Sequence, residues 1–170
     1  AVVIATPHTQ HRAHAVAAAE AGKHILVEKP LATTKEDAQA IVSACRTAGV
    51  KLAHGFNRRF APAYLEMLRR VHEVEIGELL HVEGQFSGPS GYRLKPGMWR
   101  ADRTESPAGA MTPRGIHALD SLISMAGPVI SVFAYSEPRE IAVDVDAVTS
   151  AFLRFATGLP RYLSAPLSPT

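Results

Sequence analysis

The sequence predicts an α/β protein in which part of a doubly wound parallel sheet is followed by an α+β domain with an open, mostly antiparallel sheet. Over residues 1–55, short apolar runs alternate with stretches of helical period, a pattern typical of parallel strands joined by crossover helices. From residue 62 the pattern changes, and helices share the remainder with strand-like runs that suit antiparallel pairing. We therefore expect one domain over residues 1–60 and a second over residues 61–170.

The first domain begins with an apolar strand at residues 1–5, followed by an alanine-rich helix over residues 11–21 that ends at Gly22. A second strand covers residues 24–27. Three parallel strands with two crossover helices form only half of a doubly wound sheet. We therefore expect an unpaired apolar edge, which is prone to association.

The second helix of this domain is predicted from its capping residues and its apolar face. Thr33 or Thr34 caps the helix, with an acidic residue, Glu36 or Asp37, three positions later. Five residues are expected on the core face: Ala38, Ile41, Val42, Cys45 and Ala48. The helix ends at Gly49, and a third strand covers residues 51–54.

The second domain is predicted to mix helices and strands around one long loop. Its expected elements are a helix at 62–73, a strand at 79–86, a loop at 87–108, a helix at 110–126, and strands at 129–136 and 147–155. Four residues of the first helix are expected to point inward: Tyr64, Leu65, Leu68 and Val71. Thr157-Gly158 predicts a hairpin turn towards Tyr162-Leu163. We expect Pro160, Pro166 and Pro169 to prevent a regular strand there.

Composition narrows the class of protein. With 46% apolar residues, 20% charged residues and a net charge of +2, the chain resembles globular proteins. Basic residues are scattered among acidic ones apart from Arg58-Arg59 and Arg69-Arg70, so we expect no nucleic-acid partner. No apolar run approaches the roughly 18 residues of a membrane span, and the single cysteine, Cys45, suits a reducing compartment. We expect no membrane partner and a cytoplasmic location.

A lysine follows the second strand in the sequence Glu28-Lys29-Pro30. Doubly wound sheets bind ligands at this edge, and a following proline can adopt a cis bond that directs the lysine. The ammonium group has three donors and suits the holding of a substrate hydroxyl whose carbon gives up hydride. The alternative is a surface charge ahead of a helix.

A histidine and an aspartate in the last long helix, His117 and Asp120, are three residues apart and share one helical face. Imidazole titrates near neutral pH, so His117 can exchange a hydroxyl proton while Asp120 tunes it. The alternative is a histidine with a purely structural role.

Other polar residues allow further hypotheses. Trp99-Arg100, at the end of the loop, can stack on and hydrogen-bond a polyol, or can simply pack. Arg58-Arg59, directly after the third strand, can reach a cofactor phosphate or remain solvated. The spacing of His8, His11 and His14 suggests a metal site. However, no carboxylate or cysteine lies among them and they spread around the helix axis, so we expect no metal.

Together these segments resemble the Gfo/Idh/MocA oxidoreductases. The resemblance lies in the order and spacing of four stretches: Thr6-Pro7-His8-Thr9-Gln10-His11, Ala21 to Pro30, Gly55-Phe56-Asn57-Arg58-Arg59-Phe60, and Gly115-Ile116-His117-Ala118-Leu119-Asp120. It covers residues 1–160. Members of this family bind NAD or NADP on a Rossmann domain and place a sugar, inositol or related polyol against an α/β domain with an open sheet.

The resemblance implies a role for each site residue. Lys29 and His117 become the catalytic pair, and Lys29, His117, Trp99, Arg100 and Asp120 contact the substrate. The cofactor lies along a set made of Thr6, Pro7, His8, His11, Glu28, Lys29, Pro30, Asn57 and Arg58. The open sheet implies a homo-oligomer.

Two departures from the family pattern matter. The chain contains no G-x-G-x-x-G loop, so we expect little cofactor affinity from it alone. Pro113 stands where many members carry an aspartate four residues before the histidine, which leaves Lys29 and His117 as a pair. A rival hypothesis is therefore a non-catalytic assembly or binding module. The substrate, and the choice between NAD and NADP, stay open.

Overall fold

The first half of the chain forms a three-stranded parallel sheet in the order β1-β2-β3. In this computed structural model, residues 1–137, 143–156 and 160–166 are described. The elements of the first half are β1 (Val2–Ile4), α1 (His11–Glu20), β2 (Ile25–Val27), α2 (Lys35–Thr47) and β3 (Leu52–His54). The predicted βαβαβ order is confirmed, with element ends that shift by one or two residues.

Both helices of this half pack on one face of the sheet. Alternate strand residues, together with small or apolar residues of the two helices, form a core of Ile4, Ala15, Ala19, Ile25, Val27, Ile41 and Cys45. The opposite face carries Val3 and Leu26, which are exposed. Alternating strand side chains point to opposite faces, so helices on one side can cover only half of them.

Helix α2 begins as the capping pattern predicts, because the Thr34 hydroxyl accepts from the amide of Asp37. Its buried stripe is narrower than expected. Ile41 and Cys45 are buried, whereas Val42 and Ala48 are exposed. The prediction was wrong for these two residues because α1 and the sheet contact only the centre of the apolar face.

The second half contains two helices and a four-stranded sheet in the order β4-β7-β6-β5. Its elements are α3 (Pro62–His72), β4 (Val82–Gln85), α4 (Gly115–Ala126), β5 (Val129–Glu137), β6 (Val148–Phe155) and β7 (Pro160–Pro166). Strands β5, β6 and β7 pair antiparallel, and β4 joins β7 in parallel. Helix α4 covers one face of this sheet around a core of Leu122, Ala126, Ala151, Leu153, Phe155 and Leu163. The expected mostly antiparallel sheet is confirmed.

Some details of the second half differ from the prediction. Residues Pro160–Pro166 do form a strand, because its two prolines lie at the ends, beyond Arg161 to Ser164, which pair with β4. Leu65 was expected to be buried in α3 and is 51% exposed. The predicted turn at Thr157-Gly158, and Pro169, lie outside the described residues.

The expected long loop is structured by short 3₁₀ turns, at Pro89–Arg93 and Trp99–Ala101. A third turn, Gly109–Met111, replaces the predicted start of the last helix, which begins only at Gly115 because Pro113 interrupts it. In the described part of the chain, no helix has the length and apolar character of a bilayer span.

Gly109 fixes the start of this last helical region. Its φ of +49° favours glycine, and an added Cβ would lie 1.9 Å from the carbonyl oxygen of Asp146. We predict that Gly109→Ala lowers the free energy of unfolding by about 3 kcal/mol or more, through left-handed strain and overpacking together. Gly97→Ala is the matched control, because Gly97 also has positive φ but meets open space. Urea denaturation measures both, and equal losses would contradict the argument.

Candidate functional site

The carboxyl ends of the three parallel strands are level with one another. In the register, Ile4 pairs with Val27 and Val27 with His54, so the residues that follow them lie along one edge. The amide of Glu28 donates to the carbonyl of Ile4, and that of Gly55 donates to Val27. A Cβ on Gly55 would lie 3.1 Å from both the backbone and the carboxylate of Glu28. The lack of a side chain at residue 55 therefore allows Glu28 to lie directly against β3.

Lys29 extends from this edge towards the second half of the chain. The peptide bond between Lys29 and Pro30 is cis. The Lys29 ammonium donates to the backbone carbonyl of Pro113 over 3.0 Å. Burial lowers the pKa of Lys29; Glu28 opposes this shift and the charge of Arg100 adds to it. Lys29 is thus held between the two halves of the chain, in a crevice bordered by the Glu28-Lys29-Pro30 segment and by Pro113.

His117 lies on the first turn of α4, four residues after Pro113. Its ring contacts two aromatic rings, with centroid distances of 6.0 Å to Phe56 and 6.4 Å to Phe86. Nδ1 is buried and has no hydrogen-bond partner among the described residues. Burial lowers the pKa of His117, and the charges of Lys29 and Arg58 lower it further. The imidazole is therefore neutral at neutral pH and able to accept a proton.

Asp120 makes its direct contacts with an arginine and not with the ring of His117. Its two carboxylate oxygens accept from Nε and Nη2 of Arg59, over 2.8 and 2.6 Å. The Asp120 side chain is only 9% exposed. With both oxygens occupied, Asp120 fixes α4 against the segment after β3 and acts on His117 only as a nearby charge. Sequence reasoning did not identify Arg59 as the partner of Asp120, although a buried carboxylate requires a cation nearby.

The Thr6-Pro7 turn is held by the two histidines that follow it. His11 is fully buried, with Nδ1 2.9 Å from the carbonyl oxygen of Pro30 and Nε2 3.1 Å from that of Thr6. His8 Nδ1 donates to the carbonyl of Glu105 over 2.6 Å. His11 thereby ties the turn to the Lys29 loop.

The three histidines at 8, 11 and 14 contact different atoms. Nδ1 of His14 contacts the hydroxyl of Thr6 at 3.3 Å, whereas Nε2 of His11 contacts the carbonyl oxygen of the same residue. Within the described ranges, no three His, Cys, Asp or Glu side chains are grouped so as to hold a metal ion.

The loop of the second half closes over this turn. The Trp99 ring contacts His8 edge-on at a centroid distance of 4.9 Å, and the guanidinium of Arg100 lies 4.0 Å over the same tryptophan. The Glu105 carboxylate accepts from both the amide and the hydroxyl of Thr9. Sequence reasoning missed Glu105, because its partner is 96 residues away.

Asn57 and Arg58 begin the short 3₁₀ turn Asn57–Phe60 after β3. Both are exposed. The guanidinium carbon of Arg58 lies 4.2 Å from the centroid of Phe86, on the His117 side of the crevice. The structure thus brings Glu28, Lys29, Arg58 and His117 together, and places the Trp99-Arg100 pair against His8.

Comparison with known proteins identifies the family. Residues 1–56 match the oxidoreductase family GFO_IDH_MocA, described as an NAD-binding Rossmann fold. Residues 64–165 match the GFO/IDH/MocA C-terminal domain. The family resemblance inferred from the sequence is confirmed.

Individual relatives agree with this assignment. Levoglucosan dehydrogenase of Pseudarthrobacter phenanthrenivorans is 30% identical over 92% of this chain and 46% of its own length. The scyllo-inositol 2-dehydrogenase (NAD(+)) of Bacillus subtilis is 42% identical over 49% of this chain and 25% of its own length.

Solved structures share the fold over nearly the whole chain. A levoglucosan dehydrogenase in complex with NADH and levoglucosan superimposes with a TM-score of 0.89 at 32% identity, covering 97% of this chain and 47% of that one. The aldose-aldose oxidoreductase of Caulobacter crescentus complexed with glycerol gives a TM-score of 0.89 at 28% identity, covering 98% and 50%. The chain spans about half the length of these proteins. By its two matching domains and its fold, this chain belongs to the Gfo/Idh/MocA family of oxidoreductases.

Proposed function

We propose that the protein carrying this chain transfers hydride between a nicotinamide cofactor, NAD or NADP, and a secondary alcohol of a sugar, inositol or related polyol. The observation that carries the proposal is the Lys29 ammonium held on the carbonyl of Pro113, one turn before His117. A fixed cation and a neutral imidazole in one crevice suit the two needs of alcohol oxidation, which are a held hydroxyl and a proton acceptor. Relatives named for levoglucosan and inositol support a polyol substrate.

The edge of the sheet at Thr6, Glu28 and Pro30 suits the nicotinamide half of the cofactor. Doubly wound sheets bind nucleotides outside the carboxyl ends of their strands, where Thr6, Glu28 and Asn57 lie. At this edge His54 Nε2 is buried without a hydrogen-bond partner among the described residues. The Thr6-Pro7 turn, Glu28 and Pro30 would hold the nicotinamide half, with His8 and His11 supporting the turn. When bound, the nicotinamide supplies the hydride acceptor.

Lys29 and His117 bind the substrate hydroxyl and transfer its proton. The Lys29 ammonium uses one donor on Pro113, which leaves two donors to bind the substrate hydroxyl and to stabilise negative charge on its oxygen. His117 accepts the hydroxyl proton and returns it in the reverse reaction. Pro113 occupies the sequence position where many family members carry an aspartate, and its backbone carbonyl positions Lys29 without exchanging a proton. Trp99 and Arg100 border the crevice from the loop and contact the polyol.

We also propose that two copies of the chain associate in the cytoplasm through the open face of the second sheet. Phe133 on β5 pairs in register with Phe152 on β6, and both are exposed, as is Tyr135 two residues along β5. Because strand side chains alternate, these three rings share the face opposite α4. An exposed aromatic face of this kind favours a protein partner over solvent, and a second copy supplies a matching face.

The role of Lys29 is tested by Lys29→Met in the protein that carries this chain. We predict that kcat for polyol oxidation falls about 100-fold or more, with a much smaller change in KM, because the variant keeps the packing and loses the donor. Formation of NADH or NADPH followed by absorbance measures the rate. Lys51→Met, at an exposed position, should leave the rate unchanged. An unchanged kcat in Lys29→Met would refute the proposed role.

The pH profile tests His117. Since burial, Lys29 and Arg58 lower the pKa of His117 below its ordinary value of 6.5, kcat/KM for oxidation should rise with pH on a limb that lies below pH 6.5. Arg58→Gln removes one of the charges that favour the neutral imidazole, so the limb should move to higher pH. Arg46→Gln, on the exposed end of α2, serves as the control. A limb that stays in place or moves to lower pH contradicts the assignment.

Association is tested by the mass in solution. We predict that the chain has the mass of a dimer at micromolar concentration by light scattering, and that Phe133→Ser shifts it to a monomer by removing a ring that is 70% exposed. Leu80→Ser removes an equally exposed apolar side chain elsewhere and should leave the dimer intact. A monomeric wild-type chain over the whole concentration range would exclude this interface.

A further inference from the structure

Two arginines from different halves of the chain meet on one aromatic ring beside His117. The guanidinium carbon of Arg58 lies 4.2 Å from the centroid of Phe86, and that of Arg114 lies 5.5 Å from it. The Phe86 ring is 6.4 Å from the ring of His117. Both guanidinium groups therefore line the crevice next to the proton-accepting imidazole.

The Arg114 guanidinium is held against the backbone of Ser87 and Gly88. Its Nη1 donates to the carbonyl of Ser87 over 3.3 Å. At Gly88, an added Cβ would lie 2.1 Å from the same nitrogen, so a glycine is needed there for the guanidinium to enter. A partly buried arginine with one donor on the backbone keeps its remaining donors for a ligand.

Charge in the crevice is unbalanced towards the positive sign. In the described part of the chain, Arg58, Arg100 and Arg114 have no carboxylate within 4 Å, although five other arginines do: Arg12, Arg59, Arg69, Arg70 and Arg103. The acidic groups that face His117 are Glu28 and Asp120, and Asp120 is already bound by Arg59. Of these two acidic groups, Glu28 has no arginine bound to it among the described residues, and its charge acts on Lys29.

We propose that Arg58 and Arg114 form an anion subsite that binds a carboxylate or phosphate on the substrate, so that the preferred substrate is an anionic sugar. Guanidinium groups present planar pairs of donors that match both anions. Both guanidinium groups and the His117 ring border Phe86, so one sugar can place its anion at the arginines and its reacting hydroxyl at the imidazole. The inference rests on the proposed function for the role of His117, but the subsite itself needs no cofactor.

Calorimetric titration of the chain in the absence of cofactor tests the subsite. The ligands are D-glucuronate, D-glucose 6-phosphate and, as the neutral reference, D-glucose. We expect at least one anionic sugar to bind about tenfold or more tightly than glucose, with an affinity that falls as salt is added. Arg58→Gln and Arg114→Gln should each remove most of this preference, and Arg114→Lys should retain part of it because the charge remains. Arg46→Gln is the control for loss of a distant positive charge.

Each outcome decides the proposal. Tighter binding of glucuronate assigns a carboxylate, and tighter binding of glucose 6-phosphate assigns a phosphate; either supports the subsite. Equal binding of glucose, no binding of either anionic sugar, or an unchanged preference in both glutamine variants overturns it. An equal loss in Arg46→Gln also overturns it, because the effect would then be non-specific. Circular dichroism confirms that Arg114→Gln is folded. A protein that carries this chain and binds the anionic sugar, but shows no oxidoreductase activity with NAD or NADP, would refute the proposed function alone.

Discussion

The double hydrogen bond between Arg59 and Asp120 is the interaction on which the site depends. It joins the turn after β3 to the middle of α4, two elements that are 61 residues apart in the chain. The carboxylate is nearly buried, so loss of the guanidinium would leave a charge without compensation. Because the contact is bidentate, it also fixes the rotation of α4. His117 lies one turn earlier on the same helix and is thereby oriented towards the strand edge.

A second set of contacts fixes the opposite side of the crevice. Glu105 binds Thr9 through its carboxylate and His8 through its carbonyl, while Trp99 packs against the His8 ring. The loop is thus attached to the turn that precedes α1. Between these two attachments lies Lys29, whose position requires both halves at once, the cis peptide of one and the carbonyl of the other. The crevice is therefore a property of the packed pair of domains.

The sequence was sufficient for features that depend on near neighbours. The alternation of strands and helices, the cap at Thr34, and the burial of Ile41 and Cys45 follow from local periodicity. The positions of Lys29 at a strand end and of His117 on a helix face were also predicted, because both depend on local sequence. The partners of Arg59 and Glu105 could not be predicted, since these pairs join residues 61 and 96 positions apart. The strand at Pro160–Pro166 was missed because only its pairing shows that both prolines lie at its ends.

The carbonyl of Pro113 has a consequence for how the site tolerates change. A carboxylate in that place would be lost by substitution and neutralised by acid, whereas a backbone carbonyl is present whatever residue occupies the position and does not titrate. The atom that holds Lys29 is thus a main-chain oxygen and not part of a side chain. Selection on residue 113 then acts on its backbone conformation, and a substitution keeps the lysine in place only if it preserves the interruption of the helix at Pro113.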